Sequence, residues 1–274
     1  MRRWTTGLAL AAAGGLAGAT ATRGLLRRQA AAARRVIGKP HGEAAPDADR
    51  VWRTKYGDPL DLLLVGDSIA AGLGAGRPKE TLGGRVARAL AKATRRSVRL
   101  RTVARVGAES SMLAEQLASL PPGYRPDVAV VVVGGNDVTH RVPVAESAAH
   151  LADAVAALRE LGAGVVVGTC PDLGALRPVP QPLRALGSRA SRQLALAQEA
   201  AALGAGAHTV SLAQVVGPFF ITNPDEMFSL DRFHPSAVGY QRTAKALLPS
   251  VLAALGVPVD VPFGHRHPGS HPGR

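Results

Sequence analysis

Four short stretches carry residue types that could do chemistry together. In "LDLLLVGDSIAAGLGAG", residues 60–76, Ser68 follows Gly66 and Asp67 at the end of an apolar run and leads into a glycine-rich turn. A serine there is either a nucleophile displayed on a tight turn or part of a helix cap, and Gly72, Gly74 and Gly76 add a third reading, a phosphate cradle. Near the other end, "FSLDRFHPSAVGY" sets Asp231 and His234 three residues apart, with Pro235 following and Ser236 placed to cap a last helix. A loop of this kind lets the carboxylate hydrogen-bond one imidazole nitrogen and leaves the other free as a base. That matters because a serine hydroxyl is a poor nucleophile until an adjacent base takes its proton. Between them lie "GGND", residues 134–137, where the Asn136 amide is an oxyanion donor or a mere turn former, and "ARVGAESS", where Gly107 offers a backbone N–H or is an ordinary turn glycine. His140, His150 and His208 lack a nearby carboxylate followed by a capped turn and rank below His234.

The elements that position these residues follow from hydrophobic patterning. Apolar runs such as "DLLLV", "DVAVVVV" and "GVVVG" alternate with helical patterns such as "LGGRVARALAKAT" and "VAESAAHLADAVAALREL". Continuous Val/Leu runs separated by helices predict a parallel sheet covered on both faces, an α/β protein. Ligands of such sheets bind beyond the carboxyl ends of the strands, which is where Ser68, Gly107 and Asn136 stand. The phosphate-cradle reading fails on its context. It needs a helix beginning inside the glycine loop and an acid about 20 residues on. Here "RPKE" with Pro78 delays the helix, and "ARALAKATRRS" is basic.

Taken together, in this order, the four stretches resemble the blocks of the SGNH hydrolase superfamily, also called the GDSL esterase/lipase family. "VGDSIAAG" and "DRFHPSAVGY" are the most specific, "GGND" comes next, and "RVGAESS" rests on little beyond Gly107. The match runs from about Asp58 to Leu255. The resemblance implies a three-layer α/β/α sandwich with a central parallel sheet, the flavodoxin-like SGNH hydrolase fold. It further implies that Ser68 attacks an ester carbonyl while His234, oriented by Asp231, acts as base and then acid. The oxyanion hole would comprise the Ser68 and Gly107 N–H groups and the Asn136 amide. Its substrates would be small acyl esters, including O-acetyl groups on a glycan or short-chain lipids. No cofactor or metal is required. An acyltransferase and a catalytically silent glycan-binding module are the rival readings, and retention of Ser68, Asp231 and His234 together argues against the second.

Composition bounds the rest. The net charge is +13, but Arg2, Arg3, Arg23, Arg27, Arg28, Arg34 and Arg35 crowd the N-terminal arm, and only 4% of residues are aromatic. That favours a membrane surface over nucleic acid, which is excluded as a partner for want of interleaved stacking residues. A basic start, an apolar stretch from Leu8 to Ala21 and the small-residue site Ala19-Thr20-Ala21 indicate an export signal. An uncleaved anchor spanning Trp4 to Thr22 and a solvated Ala-rich helix are the alternatives. Residues 1–35 are thus expected to be signal or anchor with a basic arm, 36–57 a linker, 58–256 the hydrolase domain, and 257–274 a disordered tail. The tail's His265, His267 and His271 bind a metal weakly at most. Cys170, the single cysteine, forms no internal disulfide and follows "AGVVVGT" as a buried small hydrophobe. The proline-rich "PDLGALRPVPQPLRAL" is either the wall of an apolar groove or a plain connector.

Overall fold

A computed structural model describes residues 22–260 and 262–269. In chain order its elements are α1 (residues 22–37), β1 (Val51–Trp52), β2 (Pro59–Gly66), α2 (Ser68–Ala71), α3 (Leu82–Thr94), β3 (Ser97–Thr102), α4 (Leu113–Ala118), β4 (Val128–Val132), α5 (Gly135–His140), α6 (Val144–Glu160) and β5 (Gly164–Gly168). There follow α7 (Leu183–Gly204), β6 (His208–Val210), α8 (Leu212–Val215), α9 (Gly217–Thr222), α10 (Pro224–Met227), α11 (Ala237–Ala254) and β7 (His265–Arg266).

The strands lie in one sheet in the order β1-β3-β2-β4-β5-β6-β7. The five inner strands run parallel, as the continuous apolar runs predict. Alternation along β2 sends Leu62 and Leu64 to one face, against Val86 and Leu90 of α3 and Tyr240 and Leu247 of α11. Leu63 and Val65 go to the other, against Leu113 of α4, Leu151 and Val155 of α6 and Ala202 of α7. The result is the expected three-layer sandwich. On α3, Leu82, Val86 and Leu90 recur every four residues and are fully buried, while Thr81 caps the helix by accepting the Gly84 N–H at 3.1 Å.

Both edges differ from expectation. Val51 and Trp52, read as linker, pair antiparallel with β3, and His265 and Arg266, read as disordered tail, pair antiparallel with β6. Two-residue strands attach through their backbones and leave no periodicity to read. The tail histidines serve packing: His265 Nδ1 meets Ser250 Oγ at 2.8 Å and His267 Nδ1 meets His208 Nδ1 at 3.0 Å. Among the described residues no cluster of three or more His, Cys, Asp or Glu could hold a metal, and His271 lies outside them. The basic arm from residue 22 is helix α1, and among the described residues no helix is long and apolar enough to cross a membrane. The Leu8–Ala21 stretch lies outside the described residues.

The connection through α3 covers one face and that through α4 covers the other, so the chain reverses direction at β2 and opens a crevice between the carboxyl ends of β2 and β4. At that point Gly66 has φ +132°, and a Cβ there would sit 1.9 Å from the Val132 carbonyl oxygen. Only glycine lets β2 stay paired to its last residue while the chain turns outward.

Candidate active site

Ser68 is the first residue of α2, directly above the end of β2. Asp67 caps this short helix by accepting the Ile69 N–H at 2.9 Å. Burial pushes the Asp67 carboxyl up to about 6, with Asp137 adding to the rise, against the opposing pull of the Ile69 N–H and of His234. The cap thus fixes the turn, and the serine that follows is only 7% exposed. The glycine loop beyond it serves packing: a Cβ on Gly74 would lie 2.6 Å from the Pro235 carbonyl and 3.0 Å from His234 Cβ. The bare backbone of that loop lets it abut the histidine turn.

That turn brings the three distant residues together. His234 Nε2 lies 3.0 Å from Ser68 Oγ, and His234 Nδ1 lies 2.6 Å from Asp231 Oδ2. The other carboxylate oxygen, Oδ1, accepts three hydrogen bonds at 2.9 Å each, from the Ser229 hydroxyl and the N–H groups of Phe233 and His234. Burial of Asp231 raises its pKa, but the His234 side chain and these N–H donors outweigh it and hold the carboxyl well below the usual carboxylate range. An ionised acid therefore faces Nδ1, a hydrogen on Nδ1 follows from the network, and Nε2 is left as an acceptor toward the serine. Phe233 packs its ring edge-on to His234 with centroids 4.9 Å apart, and Ser236 caps α11 by accepting from Val238 and Gly239.

Asn136 stands in the first turn of α5, and its amide donates one hydrogen bond to the Ala108 carbonyl at 2.9 Å. An amide carries two N–H groups, so this bond ties the Gly107–Ala108 turn to α5 without using up the side chain's donors. Gly107 has φ +83°, and a Cβ there would meet nothing within 4 Å, so backbone conformation and not space calls for glycine. His140 pairs with Glu109 at 2.5 Å and His208 with His267, and it is His234 that bonds the serine.

Sequence reasoning missed the polar residues that hold these loops. Gln116 of α4, fully buried, accepts the Gly66 N–H at 2.9 Å and donates to the Gly66 carbonyl at 2.8 Å. Gln198 of α7 accepts the Cys170 N–H at 2.7 Å and donates to the Val133 carbonyl at 3.0 Å. Asp137, the neighbour of Asn136, receives the Ser110 N–H at 3.2 Å and the Ser147 hydroxyl at 2.7 Å. The only signal for them is a polar residue on an otherwise buried helix face. Cys170 is buried and its thiol is pushed well up, by burial first and then by Asp67, Asp137 and Asp172, which suits a packing role.

Two cavities meet at Phe233 and His234. One, of about 80 Å³, is apolar: Ile69, Leu176, Leu212, Val216, Phe220 and Phe228 line it, with Ser68 and Asn136 at its polar end. The proline-rich segment supplies Pro171, Leu173, Ala175 and Leu176 to its wall, so it is a groove wall and not a plain connector. The other, about 760 Å³, is an open cleft with mixed lining that includes Gly107, Arg105 and Asp49.

Known proteins resemble this chain in sequence and in fold. The model of the GDSL-like lipase/acylhydrolase family matches residues 64–242. A GDSL-like esterase of Mycobacterium tuberculosis is 43% identical over 282 residues, covering 97% of this chain and 88% of the relative. The lipase/acylhydrolase of Enterococcus faecalis has the same fold, with a TM-score of 0.56 and 20% identity over 69% of this chain and 93% of its own. So has the esterase EstA of Pseudoalteromonas sp., with a TM-score of 0.56 and 17% identity over 72% of this chain and 98% of its own.

Proposed function

The chain belongs to the GDSL-like lipase/acylhydrolase family and is a carboxylic ester hydrolase, and from that premise we propose that Ser68, His234 and Asp231 hydrolyse esters of small acyl groups. The observation that carries this reading is the continuous hydrogen-bonded line from Asp231 through both nitrogens of His234 to Ser68, at 2.6 and 3.0 Å. Ser68 Oγ attacks the acyl carbonyl as His234 Nε2 takes its proton, and Asp231 stabilises the imidazolium that results. Charge develops on the former carbonyl oxygen and is met by the N–H groups of Ser68 and Gly107 and the second N–H of the Asn136 amide. Collapse passes the proton from Nε2 to the departing alcohol and leaves an acyl group on Ser68. A water molecule, deprotonated by the same nitrogen, then releases the acid. No step calls for a cofactor.

The narrow apolar cavity beside Ser68 favours a short acyl chain, and the wide cleft of mixed lining has room for a larger alcohol portion, as in an O-acetylated glycan or a short-chain lipid. The basic, apolar N-terminus adds a location to the proposal, export or anchoring at a membrane. The test is hydrolysis of p-nitrophenyl esters of increasing chain length by the parent and by Ser68→Ala. Ser68→Ala is expected to stay folded and to lose at least about 10³-fold in kcat on every ester. Activity within about tenfold of the parent, only about 1.4 kcal/mol of barrier, would remove Ser68 from the mechanism.

A further inference from the structure

Between α1 and β1 the chain crosses the rim of the open cleft, and both ends of the crossing are tied down. Upstream, Gln29 of α1 accepts the Leu183 N–H at 3.1 Å and donates to the Gln181 carbonyl, docking α1 on the start of α7. Downstream, Asp49 accepts the Thr102 N–H at 2.9 Å, and Ala48 is buried in the core with the Trp52 indole N–H on its carbonyl at 3.1 Å. A free linker would show neither set of bonds. Midway along this strap His41 Nε2 lies 3.0 Å from Ser229 Oγ, a residue 188 positions away in sequence.

The Ser229 hydroxyl has one hydrogen to give. Asp231 is an ionised acceptor 2.9 Å from Ser229 Oγ, so the hydrogen points there. The oxygen must then accept from His41, which places a hydrogen on His41 Nε2. Were the hydroxyl to turn toward His41, its lone pairs would face the carboxylate and Oδ1 would keep only its two backbone donors. We infer that His41 is a positioning residue, which holds the Ser229 hydroxyl as a donor to Asp231 and so steadies the carboxylate that orients His234. This rests on the Ser68–His234–Asp231 reading above.

The test is a double-mutant cycle in the full-length protein with p-nitrophenyl acetate, using His41→Ala, Ser229→Ala, their combination, and His41→Gln, whose amide can replace the Nε2 donor. His41→Ala is expected to lower kcat about fivefold with KM within twofold of the parent, the share of one hydrogen bond. His41→Gln should recover most of that loss, and His41→Ala should cost nothing further once Ser229 is alanine. Multiplying losses in the double variant, a change confined to KM, or a fall in kcat that follows Tm and is not restored by Gln would each overturn the inference. Asp231→Ala, measured beside them, separates the two claims. If it were nearly as active as the parent the underlying mechanism would fall, whereas a damaged Asp231→Ala with a fully active His41→Ala would sink the His41 role alone.

Discussion

Replacing Asp231 by asparagine should be worse for turnover than replacing it by alanine, although asparagine is the closer copy. The reason lies in how the two carboxylate oxygens are used. Oδ1 faces three donors and Oδ2 faces one. An asparagine can present its oxygen to only one of these positions. Placed at Oδ1 it keeps three hydrogen bonds, and placed at Oδ2 it keeps one, so the first orientation wins by two bonds, each worth about 1 kcal/mol or more. Its NH2 group then faces His234 Nδ1 and can only donate to it. The imidazole hydrogen is driven to Nε2, where it meets Ser68 as a donor, and the base is lost. A wrong tautomer of this kind costs about 10⁴ in kcat. Alanine removes one charge-assisted bond to Nδ1, about 1.5 to 3 kcal/mol or roughly ten- to 150-fold, but leaves the imidazole free to carry its hydrogen on either nitrogen. The stabilities should fall in the opposite order, because alanine strands three donors that asparagine satisfies. The assay is kcat on p-nitrophenyl acetate for both variants with Tm measured alongside. An Asp231→Asn variant as active as Asp231→Ala would refute the argument from unequal oxygens.

Two further outcomes are expected. Asn136→Ala should lower kcat by about 10² to 10³ while leaving KM nearly unchanged, since the lost donor acts chiefly when the oxyanion forms, and steady-state kinetics showing a rise in KM alone would count against that role. Asp67 concerns stability. Its folded pKa of about 6 lies above the usual carboxylate value, so between about pH 4 and 6 the native state holds a proton that the unfolded chain has released, and stability is lost as pH rises through this window. Asp67→Asn removes that ionisation, so its stability relative to the parent should improve by on the order of 2 to 3 kcal/mol from pH 4 to pH 7. Urea midpoints of the two proteins that move in parallel between those pH values would disprove it.

The part of the site that was legible in the sequence is the part that depends on local patterning. The inner strands announce themselves because burial on both faces demands unbroken Val and Leu, Ser68 and Asn136 stand where such strands end, and the Asp231–His234 pair shows itself by its own spacing ahead of a capped helix. Their supports left almost no trace. Gln116 bonds a glycine 50 positions away, Gln198 bonds a carbonyl 65 positions away, and the bond from His41 to Ser229 exists only because the chain doubles back over the cleft. A buried polar side chain is defined by its partner, and the partner is set by tertiary structure. The segment before β1 misled for a related reason. Proline, glycine and charge describe how it is built, whereas its few anchors, Ala48 and Asp49, decide where it lies.

Gln116 and Gln198 have a consequence for how such a protein diversifies. At the open ends of β2, β4 and β5 each glutamine adds two bonds with a single side chain, Gln116 to the N–H and carbonyl of Gly66, whose carbonyl also takes the Arg105 N–H, and Gln198 to the Cys170 N–H and the Val133 carbonyl. The loops beyond these points therefore share with the two glutamines the role of keeping the strand ends in register. Their outer parts can lengthen, shorten or change composition over evolutionary time while Ser68 stays fixed to the sheet. Substrate range becomes a property of replaceable parts, and the chemistry a property of the frame.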